Sequence, residues 1–289
     1  MLHNHIGVFI QIPNGIAVDK PVVLLNCISK NADGQMLFPR VLIEAGDNAQ
    51  ADVIEVALGA AETAYGCFNV VETLLGDNTQ ISYIIVNRHS AEASVFNAIS
   101  GEQGRDSTLR TGVFNFGGKV TRNEIYSTLN GENGRSEILG LNVLEQKQHV
   151  DNHTVLDHAV PHCESFELVK GVYGDSSKGV FDGTIIVRPD AQKTNAIQSN
   201  QSLLLTDKAT SNTKPQLKIW ADDVKCTHGA TVGQLDDNGM FYLRSRGIAE
   251  PAARAMLIHA FASEVVSEVG LEFLQESLEV LLTEKLDRI

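Results

Sequence analysis

The amino-acid sequence predicts a large all-β body followed by a short helical segment. Three observations support this prediction. Short runs of alternating apolar and polar residues extend from about Val22 to Ile219, turn-forming Gly, Asp and Asn residues separate these runs, and the pattern changes to a helical period after Tyr242. Because no window of the first region has a long helical period, repeated βαβ crossovers and a doubly wound nucleotide-binding fold are not expected.

The predicted strands are those runs in which every second residue is apolar, since side chains alternate between the two faces of a strand. Their starts recur roughly every 10 to 16 residues, as in all-β proteins. The residues expected to face the inside of the β body include Ile54, Val56, Leu58, Leu139, Leu141 and Val143. The turns between runs are predicted at Gly46–Asn48, Gly76–Asn78, Gly131–Gly134 and Gly174–Asp175.

About two hundred residues of short strands can form a sandwich, a barrel or a solenoid. Two features favour the solenoid: Asn, Thr and Ser are interleaved throughout the strands, and only 6% of the residues are aromatic. In a solenoid, each coil buries its faces against its neighbours, and small or β-branched residues stack in ladders. The repeat itself is not visible in the sequence, so the solenoid is preferred on composition.

The last forty residues have the pattern of amphipathic helices. Glu250-Pro251 is a helix start, because proline is tolerated where the backbone N–H has no intrahelical partner. Leu257, Phe261 and Val265 follow at helical spacing, and after Gly270 a second apolar stripe runs to Leu282. With eight acidic and three basic residues from position 250 to 289, this segment has a charge of −5. It is either packed on the β body with an acidic solvated face, or a docking module for a basic partner.

Composition narrows the class of protein. The 289 residues include 36 acidic and 23 basic ones, and the formal charge of −13 argues against nucleic-acid binding. No apolar run approaches the ~20 residues that cross a membrane, and no secretory signal is visible. The four cysteines are widely spaced, which does not suggest a disulfide framework. We therefore expect a cytoplasmic protein that binds neither nucleic acid nor membrane.

Two apparent motifs are rejected. Gly112–Lys119 is glycine-rich, but it lacks the Gly-Lys-Ser/Thr ending of a phosphate loop and lies among strand-like residues. A histidine cluster has spacings that fit no zinc site, and a polar ladder or turn set is the preferred interpretation. Its members are His149, His153, His158, His162 and Cys163.

The best chemical candidate is Cys226-Thr227-His228-Gly229. On a strand, Cys226 and His228 share one face, and thiolate and imidazole are ligands of iron, zinc and iron–sulfur centres. Spacing alone favours a buried thiol beside an edge histidine. Two ligands do not complete a site that usually has about four, so a metal or cluster here needs ligands from another chain. No base and orienter accompany Cys226 as they would in a nucleophilic enzyme.

The string Asp-Asp-Val-Lys-Cys-Thr-His-Gly at residues 222–229 lies in a longer stretch, 214–236, that closely resembles the SufB/SufD family of iron–sulfur cluster assembly proteins. Further matches are 240–248, 153–158, 165–170, 179–187 and 191–194. The first half resembles the family mainly in the character of its strands, such as Arg40-Val-Leu-Ile43, and not through specific motifs. Within the family, the Cys-x-His-Gly string is the SufD version, and Leu243 stands where the sister subunit SufB can carry a cysteine.

The resemblance implies a right-handed parallel β-helix, here residues 1–247, followed by a C-terminal helical domain, residues 248–289. It further implies a non-catalytic scaffold that pairs with SufB through the β-helices and docks the ATPase SufC through the helices. A transient iron–sulfur cluster would assemble at the SufB interface, assisted by His228 as a metal ligand shared with SufB and more weakly by Cys226. Leu257, Phe261 and Val265 are the expected partner-binding residues.

Several points stay open at this stage. Family members commonly carry an additional N-terminal, largely helical region, so this sequence is either a short form or lacks its upstream part. The resemblance leaves open whether a reduced flavin binds the complex. The alternative functions are a SufB-like main cluster scaffold and a carbohydrate-active lyase, since parallel β-helices also carry such enzymes.

Overall fold

The chain forms short parallel strands for most of its described length, and three helices follow them. The computed structural model describes residues 6–286. The strands are β1 (Ile6–Ile12), β2 (Val22–Ile28), β3 (Met36–Leu37), β4 (Pro39–Ala45), β5 (Gln50–Gly59), β6 (Gly66–Leu75), β7 (Gln80–Arg88), β8 (Ser94–Gln103), β9 (Thr108–Asn115), β10 (Val120–Leu129), β11 (Arg135–Leu144), β12 (His149–His158), β13 (Glu164–Tyr173), β14 (Lys178–Val187), β15 (Asn195–Leu204), β16 (Thr210–Ile219) and β17 (Lys225–Gly233). The helices are α1 (Asp237–Ser245), α2 (Glu250–Ser267) and α3 (Glu272–Leu286), with a short 3-10 turn at Lys30–Ala32.

The strands form two parallel sheets that the chain visits in turn. The first sheet has the order β1-β4-β6-β8-β10-β12-β14-β16, with β3 also paired to β6, and the second has the order β2-β5-β7-β9-β11-β13-β15-β17. Gln80 lies opposite Gln50, and Thr108 lies opposite Gln80, so one coil takes 28 to 30 residues in this region. The predicted parallel β-helix followed by helices is confirmed, and two strands per coil explain the spacing of the strand starts.

Asparagine ladders run through the inside of the solenoid. Asn87 donates its side-chain amide N–H to Asn115 over 2.7 Å, and Asn115 donates to Asn142 over the same distance. All three amides are buried between apolar residues of the core. Asn97, Asn123 and Asn152 make an equivalent ladder on the first sheet. Because the middle amides, Asn115 and Asn123, both accept and donate along the stack, each ladder links three successive coils in register.

The corners of the coils use the predicted turn residues. Asn48, Asn78 and Asp106 have positive φ angles of 58°, 53° and 57°, a conformation that Asn and Asp tolerate better than most residues. The Asp47 carboxylate accepts the backbone N–H of Asp77 over 2.8 Å, which links one corner to the next. A Cβ on Gly76 would lie 2.5 Å from that carboxylate oxygen, so glycine permits the close stacking.

The expected direction of several strand residues is wrong. Ile54, Leu139, Leu141 and Val143 belong to a cluster with α2 and α3 on the outer face of the second sheet, and Val56 is packed against it. The neighbouring residues Val53 and Ile138 face the inside of the solenoid. Both faces of this sheet are buried because the helices cover the outer one. Alternation therefore identified two faces but not which one is internal.

Helices α2 and α3 are attached to the solenoid by polar contacts of two buried lysines. The Lys170 ammonium, only 1% exposed, donates to the Phe261 carbonyl over 3.0 Å and pairs with Glu264 of α2. Lys285 of α3 pairs with Glu145. Removal of the residues from Glu250 onward would break these contacts and expose the apolar cluster beneath α2 and α3, so we expect it to destabilise the β body.

The helical region begins earlier than expected. The last strand ends at Gly233, and α1 starts at Asp237 inside the segment 1–247 that was assigned to the β body. Asp236 caps α1 by accepting the backbone N–H groups of Asn238 and Gly239. Helix α2 begins at Glu250 as predicted, with proline in its first turn. Among the described residues, no helix is long and apolar enough to cross a membrane.

We expect Asn115→Leu to lower the free energy of unfolding by about 2 to 4 kcal/mol, because it leaves the amide of Asn87 and the carbonyl of Asn142 unpaired in the interior. Urea unfolding measures the change. The control is Asn212→Leu, on an exposed position of β16, which should shift stability by no more than about 0.5 kcal/mol. A leucine at position 115 that leaves the midpoint unchanged would show that the ladder is dispensable.

A matched pair of valines tests how firmly the helices are packed. Val265 is fully buried against the second sheet, whereas Val280 is 58% exposed on α3. Val265→Asp places an unpaired charge in the core and should cost about 3 kcal/mol or more, while Val280→Asp should change stability by less than about 0.5 kcal/mol. Thermal unfolding of both variants makes the comparison. Equal melting temperatures would contradict the packing of α2 on the sheet.

Candidate functional site

The last coil of the solenoid is open in the described part of the chain. Strand β16 has a hydrogen-bonded neighbour only in β14, and β17 only in β15. Pro215 lies within β16, a residue that sheets accept on edge strands because it has no N–H to donate. Each of these strands therefore presents one row of backbone hydrogen-bonding groups to its surroundings, which is the usual template for pairing with another chain.

Cys226 and His228 lie on the edge strand β17 and share its inner face. Cys226 is packed against the interior core cluster, and His228, two residues further along, is exposed. Burial raises the pKa of the Cys226 thiol, so at neutral pH the isolated chain carries a thiol rather than a thiolate there. The imidazole of His228 is the more accessible of the two side chains, and the weaker role of Cys226 stays a prediction.

Behind His228, two buried polar residues continue the same row into the solenoid. His228 lies opposite Gln198 of β15, and Gln198 lies opposite Glu167 of β13. The Gln198 amide donates to the Glu167 carboxylate over 2.8 Å. Burial raises the pKa of Glu167 to about 7, while the hydrogen bond from Gln198 opposes the rise. Sequence reasoning missed both residues; the signal that finds them is the coil length, which places them in register with His228.

Apolar side chains flank the open coil. Trp220, directly after β16, is 59% exposed, and Ile219 and Val232 are 38% and 42% exposed. A large exposed aromatic residue beside a free strand edge is typical of a protein–protein contact, where tryptophan often contributes much of the binding energy. The same end of the solenoid therefore combines a free edge, an apolar anchor and an accessible imidazole.

Most of the chain matches a known protein family. The profile of the SufBD core domain of the SUF system for iron–sulfur cluster assembly matches residues 27–261, which include the whole last coil and most of α2. The chain belongs to the SufBD core family. Its resemblance to SufB/SufD proteins, based on residues 222–229 and the stretches around them, is thereby confirmed.

Individual relatives in this family include two SufD proteins. The chain is 36% identical over 280 residues to an iron–sulfur cluster assembly SufBD family protein of Synechocystis. It is 34% identical over 275 residues to the iron–sulfur cluster assembly protein SufD of Escherichia coli, and 29% identical over 283 residues to SufD of Bacillus subtilis. These alignments cover 93%, 93% and 96% of this chain, but only 61%, 64% and 64% of the relatives. The chain thus spans less than two thirds of their length.

The structure shows where the glycine-rich stretch and the histidine cluster, the two motifs rejected from sequence, lie in the fold. The glycine-rich stretch 112–119 is the end of β9 and the turn before β10, and no helix follows it. In the histidine cluster, His149 and His153 lie on the outer face of β12, His158 is buried inside and His162 lies in a turn. His153 pairs with Asp151 over 2.9 Å. These histidines point in different directions, and no group of three or more metal-ligating residues occurs within 6–286.

Of the three residues on α2 that are predicted to bind a partner, Phe261 and Val265 pack against the solenoid. Val265 is fully buried, and Phe261 packs against the same cluster with its ring 4.4 Å from the Lys170 ammonium. Leu257 is half-buried near α1. An apolar stripe on a helix has the same pattern whether it contacts its own sheet or another protein. The exposed apolar residues of these helices are Phe241, Tyr242, Met256, Phe273 and Val280.

Proposed function

We propose that this chain is a SufD-like scaffold subunit that catalyses no reaction itself and helps a SUF complex to assemble iron–sulfur clusters. The observation that carries the proposal is the open last coil, which presents His228 on a free strand edge in a chain of the SufBD core family. The names of the E. coli and B. subtilis relatives favour SufD over SufB within the family.

The chemical role of His228 is that of one ligand or proton carrier for a cluster that passes through the site. A neutral imidazole binds iron and also transfers protons near pH 7. The cluster is the substrate of the assembly, and the remaining ligands would come from the partner chain. Cys226 is assigned an auxiliary role, because its side chain packs against the core and is less accessible than His228.

The partner at the open coil is proposed to be SufB. A second parallel solenoid offers the same kind of free edge, so the two strands at each end would complete each other's hydrogen bonds. Trp220 and Val232 would be buried in this contact. The arrangement would place His228 at the boundary between the two chains, where ligands from both reach one cluster.

The second proposed partner is the ATPase SufC, on the outer surface of the helices. The helices expose Met256, Phe273 and Val280 beside an acidic face, which suits a partner with a mixed apolar and basic groove. In this arrangement SufC supplies the nucleotide site and SufB completes the ligand set. The reduced flavin considered for the complex stays a prediction.

The two alternative functions have less support. A carbohydrate-active lyase needs unpaired charged groups along the coils, but prominent outer arginines of the first sheet are engaged in ion pairs. Arg40 pairs with Glu72, and Arg122 pairs with Glu124 and Asp151. A SufB-like main scaffold would be expected to hold a cluster alone, and the only nearby thiol is the core-packed Cys226 among the described residues of the last coil.

His228→Ala should leave the chain folded and the complex assembled but strongly lower the iron and acid-labile sulfide content of the purified complex. An exposed imidazole contributes little to stability, whereas alanine neither binds iron nor transfers a proton. Cys226→Ser should lower the content less. The control is His162→Asn, which changes another exposed histidine and keeps a residue suited to its positive φ of 62°. Normal loading with alanine at position 228 would refute the assignment.

Two surface variants should separate the two partners. Trp220→Asp is expected to weaken SufB binding at least about tenfold and to leave SufC binding intact, because a buried tryptophan commonly contributes more than 1.4 kcal/mol. Met256→Asp, at a residue 49% exposed on α2, should do the reverse. Co-purification of each variant with both partners provides the measurement. If Trp220→Asp releases SufC, or Met256→Asp releases SufB, the two surfaces have been assigned to the wrong partners.

A further inference from the structure

A single inner row of side chains connects the middle of the solenoid with its open end. Glu167, Gln198 and His228 occupy the same register position on β13, β15 and β17. Ala196 and Cys226, two residues earlier on β15 and β17, also contact the interior core cluster, which fixes the direction of this face. In a parallel sheet, such partners are separated by one strand spacing of about 4.8 Å, which is within reach of a glutamine and a histidine side chain.

The orientation of the Gln198 amide follows from its buried neighbour. Glu167 is fully buried, and an ionised carboxylate can accept hydrogen bonds but cannot donate one. The amide nitrogen of Gln198, rather than its oxygen, therefore points toward Glu167, at 2.8 Å. The amide oxygen of Gln198 then points away. This oxygen has no hydrogen-bond partner among the described residues, although the residue is only 1% exposed. A buried carbonyl oxygen without a donor is energetically unfavourable, so a donor at this position is strongly favoured.

The opposite wall of the solenoid leaves room for this amide. Gly183 of β14 faces Gln198 across the interior, and a Cβ at position 183 would lie 2.5 Å from the Gln198 amide nitrogen and 2.5 Å from the Phe181 ring. Any larger residue would displace the amide from Glu167. The glutamine is therefore held on one side by the carboxylate and on the other by a gap that only glycine provides.

We infer that Gln198 is a positioning residue for His228: a rotation of the exposed imidazole brings one of its N–H groups to the unpartnered amide oxygen, and this hydrogen bond fixes the ring orientation and the tautomer. Glu167 acts one step further back by holding the amide in the orientation that leaves this oxygen free. The ring nitrogen that does not bind Gln198 is then directed to the open end, with its lone pair available to a metal ion or a proton. Histidine ligands of metals generally have such a hydrogen-bonded partner on the other nitrogen.

The importance of this arrangement for cluster assembly rests on the proposed function of His228, whereas the hydrogen bond itself does not. The tautomer of His228 in the chain alone is therefore the direct readout. It is read from the ring ¹⁵N resonances of chain labelled in its histidines, at pH 8.5, where Glu167 is ionised and ordinary histidines are neutral. The spectrum of His228→Asn identifies the signals of this one residue.

Gln198→Leu should convert a single-tautomer spectrum of His228 into that of a mixture, and should lower cluster loading of the complex about tenfold or more. Asn200→Leu is the matched control, because Asn200 is also buried on the inner face of β15 but lies opposite Ala230. It should leave the His228 signals unchanged. If Gln198→Leu alone does not fold, Glu167→Leu/Gln198→Leu replaces it, since this double variant leaves no unpaired buried carboxylate.

An unchanged His228 tautomer in the Gln198 variant would overturn the inference, as would a wild-type spectrum that already shows a mixture. Failure of the proposed function has a different signature. In that case the single tautomer is present and depends on Gln198, but His228→Ala loads normal amounts of iron and sulfide.

Discussion

The structure depends on one constraint: the backbone of each coil is satisfied only by the coils on either side of it. Inside the solenoid the constraint is met twice, by the parallel strand ladders and by the stacked amides of residues such as Asn87, Asn115 and Asn142. At the last coil of the described residues it is met on one side only, so β17 exposes backbone groups that can pair with another strand. An unpaired edge strand promotes aggregation in an isolated protein, but in a subunit it can form the contact with a partner chain. Because His228 lies on this edge strand, a partner that binds here would contact the residue for which cluster chemistry is proposed.

The helices have two surfaces with separate roles. Their inner surface completes the core by covering the outer face of the second sheet, with Val265 and Lys170 among the buried contacts. Only their outer surface is available to another protein. The helical segment is therefore packed on the same sheet that ends in β17. In the proposed complex, an ATPase on the helices would contact elements that share this sheet with the open coil.

The sequence predicted the solenoid, the α2 start and the Cys226–His228 strand, because period, proline position and a specific string are local signals. The direction of Leu139 was not predictable in the same way, since a strand buried on both faces has apolar residues on both. Glu167 and Gln198 were missed for a related reason. A polar residue within a strand is normally expected to face solvent, and only the length of each coil shows that these two lie behind His228. Long-range register is set by the whole stack, and no short window of sequence contains it.

The central proposal is that the open last coil is the surface on which this chain would bind SufB. Hydrogen exchange of the backbone amides of β17 (Lys225–Gly233), measured for the chain alone and for the chain with SufB, tests this claim most directly. We predict that the outward-facing amides of β17 exchange much more slowly in the complex, while those of β2 (Val22–Ile28), at the opposite end of the same sheet, do not change. Unchanged exchange in β17, in a complex shown to be intact, would contradict the account.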